Sequence, residues 1–163
     1  MNPVDADRFR DAMSMTASGV TVVTTNGEAG RLGVTVSTLC SLSLEPPSVV
    51  LCIHRDSRAL PAIVANGVFV ANVLGSDQQR VADTFAGRVP ELKDNRFGEG
   101  EWHALATGAP VLRGSLCSFD CRVAEIFEFG SHRIIAGIVV DLACAGTEPL
   151  VHANRSYQKL QAA

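Results

Sequence analysis

The spacing of apolar side chains changes period several times along the chain, and each change marks an element. Phe9, Met13 and Ala17 recur every four residues, so they share one face of a helix predicted over residues 6–17, with Asp5 placed to cap it. Gly19 ends that helix. Residues 20–25 (Val-Thr-Val-Val-Thr-Thr) are β-branched throughout and predict a strand, closed by the turn-rich residues 26–30. From 32 to 44 the even positions read Leu, Val, Val, Thr, Cys, Leu, Leu, and the odd ones from 33 to 43 read Gly, Thr, Ser, Leu, Ser, Ser. Such a period of two predicts a strand, or a bent pair of strands, pairing back on the first. Its apolar face should point inward and its hydroxyls, Thr35, Ser37, Ser41 and Ser43, outward.

Glu45-Pro46-Pro47 stops that run, and residues 49–53 are continuously apolar, as in a strand covered on both faces. Pro61 fits only a first helical turn, so a helix should start near Ser57 to Leu60 and end before Gly67. Residues 68–74 predict another strand. Ser76 and Gln79 have the spacing of a capping box for a helix carrying Val81 and Phe85 and stopping at Gly87. Residues 87–110 look irregular. Residues 116–129 and 133–144 form two long β-type runs meeting at Gly130-Ser131, which is a long hairpin. Five or six strands with two or three helices, and no repeat or linker, predict one domain over residues 1–163. Its architecture should be a closed or partly closed antiparallel barrel with helical additions.

Composition removes whole classes of function. With 47% hydrophobic residues the chain has ample material for a core. Its 14 Lys and Arg against 17 Asp and Glu give a formal charge of −3, which offers no basic field for nucleic acid or an anionic membrane. No apolar run is long enough to span a bilayer, and the first residues lack the pattern of a signal peptide, so a soluble, cytoplasmic protein is expected. The five cysteines, Cys40, Cys52, Cys117, Cys121 and Cys144, show no metal-ligand spacing and read as reduced, buried small hydrophobes. Dinucleotide-binding, Walker, nucleophile-elbow and zinc-protease motifs are absent, and the four histidines are dispersed.

Two features carry chemistry. The hydroxyl face of Thr35, Ser37, Ser41 and Ser43 is either a solvated strand face or a neutral edge able to hydrogen-bond a flat heterocycle. Arg55-Asp56-Ser57-Arg58, at a helix start, is either a helix cap with surface arginines or a phosphate site.

Taken in order, residues 33–47 (GVTVSTLCSLSLEPP), Ser57 and residues 66–74 (NGVFVANVL) resemble the flavin reductase-like family, the small NAD(P)H:flavin oxidoreductases of two-component monooxygenases. The likeness continues through Phe85-Ala86, residues 94–97, Trp102, residues 108–112, Gly130-Ser131-His132 and Pro149-Leu150 to Tyr157, and so covers nearly the whole chain. The resemblance implies a six-stranded antiparallel Greek-key split barrel, working as a homodimer. It implies binding of FMN or FAD, with NADH or NADPH as co-substrate, and delivery of reduced flavin to a partner monooxygenase.

By the same resemblance, Thr35, Val36, Ser37 and Thr38 lie along the flavin ring with Ser41 nearby, and Ser57 and Arg58 meet the phosphate. Ala71 and Asn72 sit beside the cofactor, Phe85 lies toward an adenine, and His132 is the catalytic residue beside the nicotinamide. Many family members carry Gly-Asp-His at the tip of the last hairpin, whereas this chain reads Gly130-Ser131-His132 and lacks that carboxylate. No stacking role is carried to His152. Two alternatives stand beside this one: an oxidase of the pyridoxamine-phosphate-oxidase type that retains its flavin, and a non-catalytic flavin-binding barrel.

Overall fold

The computed structural model describes residues 2–145 and 148–160, so the extreme ends of the expected 1–163 domain lie outside the described residues. Its elements, in chain order, begin with α1 (Ala6–Ser14), β1 (Ser18–Gly19), β2 (Thr21–Thr25), β3 (Leu32–Val36), β4 (Cys40–Leu44) and β5 (Pro47–His54). They continue with α2 (Ala59–Asn66), β6 (Val68–Val73), α3 (Gln79–Phe85), β7 (Trp102–Ala104) and β8 (Pro110–Leu112). The chain closes with β9 (Cys117–Phe129), β10 (His132–Cys144), β11 (Val151–Ala153) and β12 (Ser156–Gln158).

One antiparallel sheet dominates, in the order β3-β2-β6-β9-β10-β5-β4. Its two edges, β3 and β4, are the two halves of the single period-two run, so the run pairs with β2 at one end and β5 at the other and closes the sheet into a barrel. Counted by runs of chain there are six strands. The crossover from β5 to β6 through α2 lays β6 beside β2, which makes the order a Greek key. The fold is thus the mainly β split barrel expected. Among the described residues no helix is long and apolar enough to cross a membrane.

The core follows from the period of two. Every residue of β2 is buried, because one face of the strand looks into the barrel and the other is covered by α3 and β8. Inside the barrel Val23, Leu51, Ile53, Phe69 and Ile135 pack with Leu60 and Ile63 of α2, which plugs one end. Outside it Val22, Leu74, Val81, Phe85, Leu112 and Leu150 form a second cluster. Each fully buried Phe, Leu or Ile contributes about 1.5–3 kcal/mol of transfer free energy. Gly67 ends α2 in the left-handed region at φ 67°, as its position in the sequence implies.

Several details differ from the sequence expectation. Helix α1 stops at Ser14 rather than residue 17, and its stripe of Phe9 and Met13 stays exposed although Asp5 caps it through Asp7 and Arg8 N–H groups. On β4 the even residues Cys40, Leu42 and Leu44 are not inward; Leu44 is 83% exposed. The strand is an edge, and a register shift between Ser41 and Ser43 turns it over the barrel mouth. Ser76 caps nothing: α3 starts after Gln78, whose side chain accepts from Gly75 N–H and donates to the Arg113 carbonyl. Residues 87–110 contain β7 and two short 3₁₀ turns. Of the five cysteines, only Cys121 is fully buried.

Candidate functional site

A cleft runs along the outer side of β3 where the chain leaves it for β4, and it has two lobes. The first, about 340 Å³, is lined by Val34 to Thr38, by Cys52, Ile53, His54 and Ser57, and by His132, Arg88, His152 and Tyr157. The second, about 700 Å³, shares the wall of Val34, Thr35, His54, Ser57 and Ala86 and continues past Arg58 and Phe85 to Arg31, Lys93 and Arg96. Both lie in the usual size range of small-ligand pockets, about 300–1,000 Å³.

The wall of the first lobe is fixed by hydroxyls. Thr35 Oγ1 donates to the Ala82 carbonyl at 2.7 Å and ties β3 to α3. Thr38 Oγ1 donates to the Cys52 carbonyl at 3.0 Å and accepts from the Cys52 N–H at 2.9 Å, which ties the end of the bend to β5. Between these two anchors Val36 and Ser37 have no strand partner beyond Thr21, so the backbone from Ser37 onward is open to a ligand. Thr35 and Thr38 therefore shape the wall, and Ser37 is the exposed hydroxyl on it. Gly33 precedes this stretch because a Cβ there would lie 2.6 Å from the Phe85 ring. Phe85 is itself held edge to face by Phe97 and Trp102, at 5.1 and 5.4 Å between centroids.

Opposite that wall stands a pair of histidines. His54 ends β5, His132 begins β10, and the two are cross-strand partners whose rings meet at 84°. The Asp56 N–H donates to His54 Nδ1 at 3.2 Å, so the neutral ring carries its proton on Nε2. Ser131 Oγ lies 2.9 Å from His132 Nδ1. The far side is closed by β11 and β12, whose His152 and Tyr157 rings pack edge to face at 5.8 Å. Tyr157 Oη donates to Asp83 at 2.8 Å, and burial, reinforced by that carboxylate, pushes the phenol up to about 12.

The second lobe is electropositive. Arg31 lies 4.1 Å over the Phe97 ring, and Arg96 donates to the Phe85 carbonyl at 3.1 Å. Arg58 is the N-cap residue of α2 without a side-chain cap, and neither it nor Lys93 is ion-paired among the described residues. With Ser57 they leave donors free beside the helix start, facing only Asp56 and Asp94 as acids.

The structure thus brings together Thr35, Val36, Ser37, Thr38, Ser57, Arg58, Phe85 and His132. Three other expected residues do not line either lobe. Ser41 lies on β4 in a separate apolar depression with Leu39, Val49, Phe119 and Leu142, because the chain crosses the barrel end between β3 and β4. Ala71 and Asn72 are fully buried and line neither lobe. Ala71 belongs to the barrel core, whereas Asn72 donates to the Val22 carbonyl at 3.1 Å and accepts from Leu112 N–H and Ser118 Oγ, each at 2.9 Å. Sequence reasoning missed His54, although period two from Cys52 puts it on the outward face of β5. Nothing local marks His152, Tyr157 or Lys93, which arrive by tertiary pairing.

Comparison with known proteins gives one consistent result. The model of the flavin reductase like domain matches residues 13–161. An FMN reductase (NADH), RutF 2 of Methylorubrum extorquens strain PA1, is 43% identical over 158 residues, covering 96% of this chain and 91% of that protein. Nitrilotriacetate monooxygenase component B of Mycobacterium thermoresistibile superposes with a TM-score of 0.87 at 31% identity, over 95% of this chain and 86% of that one. The NADH:FAD oxidoreductase SgcE6 of Streptomyces globisporus C-1027 gives a TM-score of 0.89 at 26% identity, over 99% and 97%.

Proposed function

The chain belongs to the flavin reductase-like domain family, and from that premise we propose that it oxidises NADH and reduces FMN or FAD in its two-lobed cleft. It is an NAD(P)H:flavin oxidoreductase, and NADH is the co-substrate that the similar proteins point to. The observation that carries this reading is the division of the cleft, around one wall of Val34, Thr35, His54, Ser57 and Ala86, into a lobe whose one arginine, Arg88, is paired with Asp83 and a lobe lined by Arg31, Arg58, Lys93 and Arg96. A phosphorylated flavin has the same division, and the donors fit it: Ser37 with the following backbone for the ring edge, and Ser57, Arg58 and Lys93 for the phosphate.

When bound, the flavin takes up the hydride of the nicotinamide, chemistry that needs neither a nucleophile nor a general base. The chain's task is positional. Thr35 and Thr38 pin the wall on both sides of the ring-binding stretch, so its N–H groups are fixed in direction before a ligand arrives. His132 and His54 border the opposite, open side, where a second ring must enter, and His132 is the residue assigned to the nicotinamide.

Reduced flavin is handed to a separate monooxygenase component, and the reductase acts in the cytoplasm as a homodimer. Phe129 supports the dimer: it is 80% exposed, lies on β9 directly across from His132, and with Phe127 forms an apolar surface beside the cleft that a second copy would cover. Steady-state NADH consumption, assayed with riboflavin, FMN and FAD and then without flavin, tests the activity. Turnover should require added flavin. Tight flavin retention without nicotinamide oxidation would overturn the reading, and light scattering showing an active monomer would remove the shared surface.

A further inference from the structure

The far end of the β9–β10 hairpin carries two thiols that the cleft does not use. Cys117 opens β9 and Cys144 closes β10, and they are direct Cα partners on the last rung of that ladder. One position beyond, the Ala145 N–H donates to the Leu116 carbonyl at 3.1 Å while the Leu116 N–H goes to the Val73 carbonyl, and this single bond between 145 and 116 puts the cysteine rung at a non-hydrogen-bonded position of the ladder. In such rungs the Cα atoms lie about 4.5 Å apart with side chains turned to the same face, inside the span of about 4.4–6.8 Å that a disulfide bridges. Cys144 is exposed and Cys117 is half-buried behind it. We propose that Cys117 and Cys144 are a peroxide-responsive pair that closes into a disulfide across the base of the hairpin.

The other thiols lack this arrangement. Cys121 is fully buried, and its thiol is pushed up to about 12, mainly by burial. Cys40 and Cys52 stand opposite Val50 and Ile134 rather than each other. Within the pair the roles are unequal, since burial and the neighbouring Cys144 raise Cys117 and hold it as the thiol. Cys144 therefore meets the oxidant first. Its sulfur attacks hydrogen peroxide, breaking the O–O bond to give a sulfenic acid and one water. Cys117 then attacks that sulfur, forming the S–S bond and releasing the second water. Two thiols lose two hydrogens, and one peroxide is reduced to two waters.

The source of peroxide rests on the reductase reading: reduced flavin that escapes its acceptor reacts with dioxygen to give oxidised flavin and hydrogen peroxide. The pair then sits on the enzyme that generates its oxidant, at the opposite end of the 13-residue β10 from His132. The 163-residue chain is treated with hydrogen peroxide, and its peptides are mapped by mass spectrometry without reduction. It should lose two of its five thiols in one intramolecular Cys117–Cys144 link. Cys40→Ser should leave that link unchanged, and Cys117→Ser should leave Cys144 as a sulfenic acid trapped by dimedone. A Cys40–Cys52 link, a link between chains, no link, or Cys144 overoxidised beside a free Cys117 would each overturn the pair. In a second arm, aerobic turnover with NADH and flavin should form the same link, and catalase should suppress it. A link with added peroxide but none during turnover would overturn the proposed source alone.

Discussion

His54 and His132 face each other across the first rung of β5 and β10 with ring centroids 5.1 Å apart, and among the described residues only His54 has a carboxylate within salt-bridge distance, Asp56 at 3.7 Å. The two rings therefore have different duties. His54 lines both lobes, whereas His132 lines only the smaller one, at its open side. His132→Ala should lower kcat/KM for NADH about tenfold, the equivalent of about 1.4 kcal/mol, with little change in the dissociation constant of oxidised flavin. His54→Ala should weaken flavin binding as well. Stopped-flow reduction combined with flavin titration separates the two, and equal loss of binding and turnover in His132→Ala would contradict this division.

Removing the phosphate donors should act on only one class of flavin. Charge-assisted hydrogen bonds contribute about 1.5–3 kcal/mol each, so even one lost bond in Ser57→Ala with Arg58→Ala should raise the dissociation constant for FMN by about tenfold or more. Riboflavin has no phosphate and should bind both proteins alike. Fluorescence-quenching titrations of the two ligands provide the comparison. Unchanged FMN affinity in the double variant would move the phosphate toward Lys93 and Arg96.

The barrel was legible because its strands obey period two and its breaks fall at Gly and Pro. β2, β5, α2 and the long hairpin stand within a few residues of their expected places, and Gly67 caps α2 where its position suggested. Long-range register was not legible. The run from Leu32 to Leu44 has a single alternation, yet Thr35 and Ser41, similar on paper, end in different cavities because the chain changes partner strand between them. The burial of Asn72 away from both lobes was hidden for a related reason. A strand covered on both faces gives no sign in its own sequence of which polar side chain is an internal tie and which reaches a ligand.

Asn72 should accordingly matter for folding rather than binding. Its side chain satisfies the Val22 carbonyl, the Leu112 N–H and Ser118 Oγ at once, and all of these contacts are buried. Asn72→Ala strands at least one buried donor, at a cost of about 1–3 kcal/mol, and leaves a small void besides. The urea midpoint should fall while flavin affinity of the folded protein stays near that of the wild type. A large loss of affinity at unchanged stability would return Asn72 to the cofactor.

Alkaline stability should report on Tyr157. Its phenol is raised to about 12 in the fold, mainly by burial and then by Asp83, from an ordinary value of 10. Between these values the folded chain keeps a proton that the unfolded chain has lost, so the contribution is complete below pH 10 and disappears as pH rises toward 12. Tyr157→Phe should flatten the fall in urea midpoint above pH 10, with Cys121 common to both proteins as a background of the same sign. Because the ring is partly exposed, the difference should be modest.

The last expectation concerns the fate of the flavin. A reductase that hands its product to another protein cannot hold that product so tightly that escape limits turnover. The cleft suits release: its ring wall offers neutral hydroxyls and backbone, two of those hydroxyls are already committed to Ala82 and Cys52, and the arginine lining that lobe, Arg88, is ion-paired with Asp83 at 3.1 Å, whereas Arg58 and Lys93 of the other lobe are not paired among the described residues. Reduction adds charge to the ring end of the ligand, where the wall supplies no cation of its own to retain it. The nearest fixed cation is Arg88, whose guanidinium is already bonded to Asp83. The purified protein should therefore be nearly colourless, and anaerobic titration should show reduced FMN binding no more tightly than oxidised FMN. Reduced flavin formed on one side of a dialysis membrane should support a monooxygenase on the other. Reduced flavin that stays bound through anaerobic gel filtration, with no activity across the membrane, would favour an enzyme that keeps its flavin and oxidises a substrate directly.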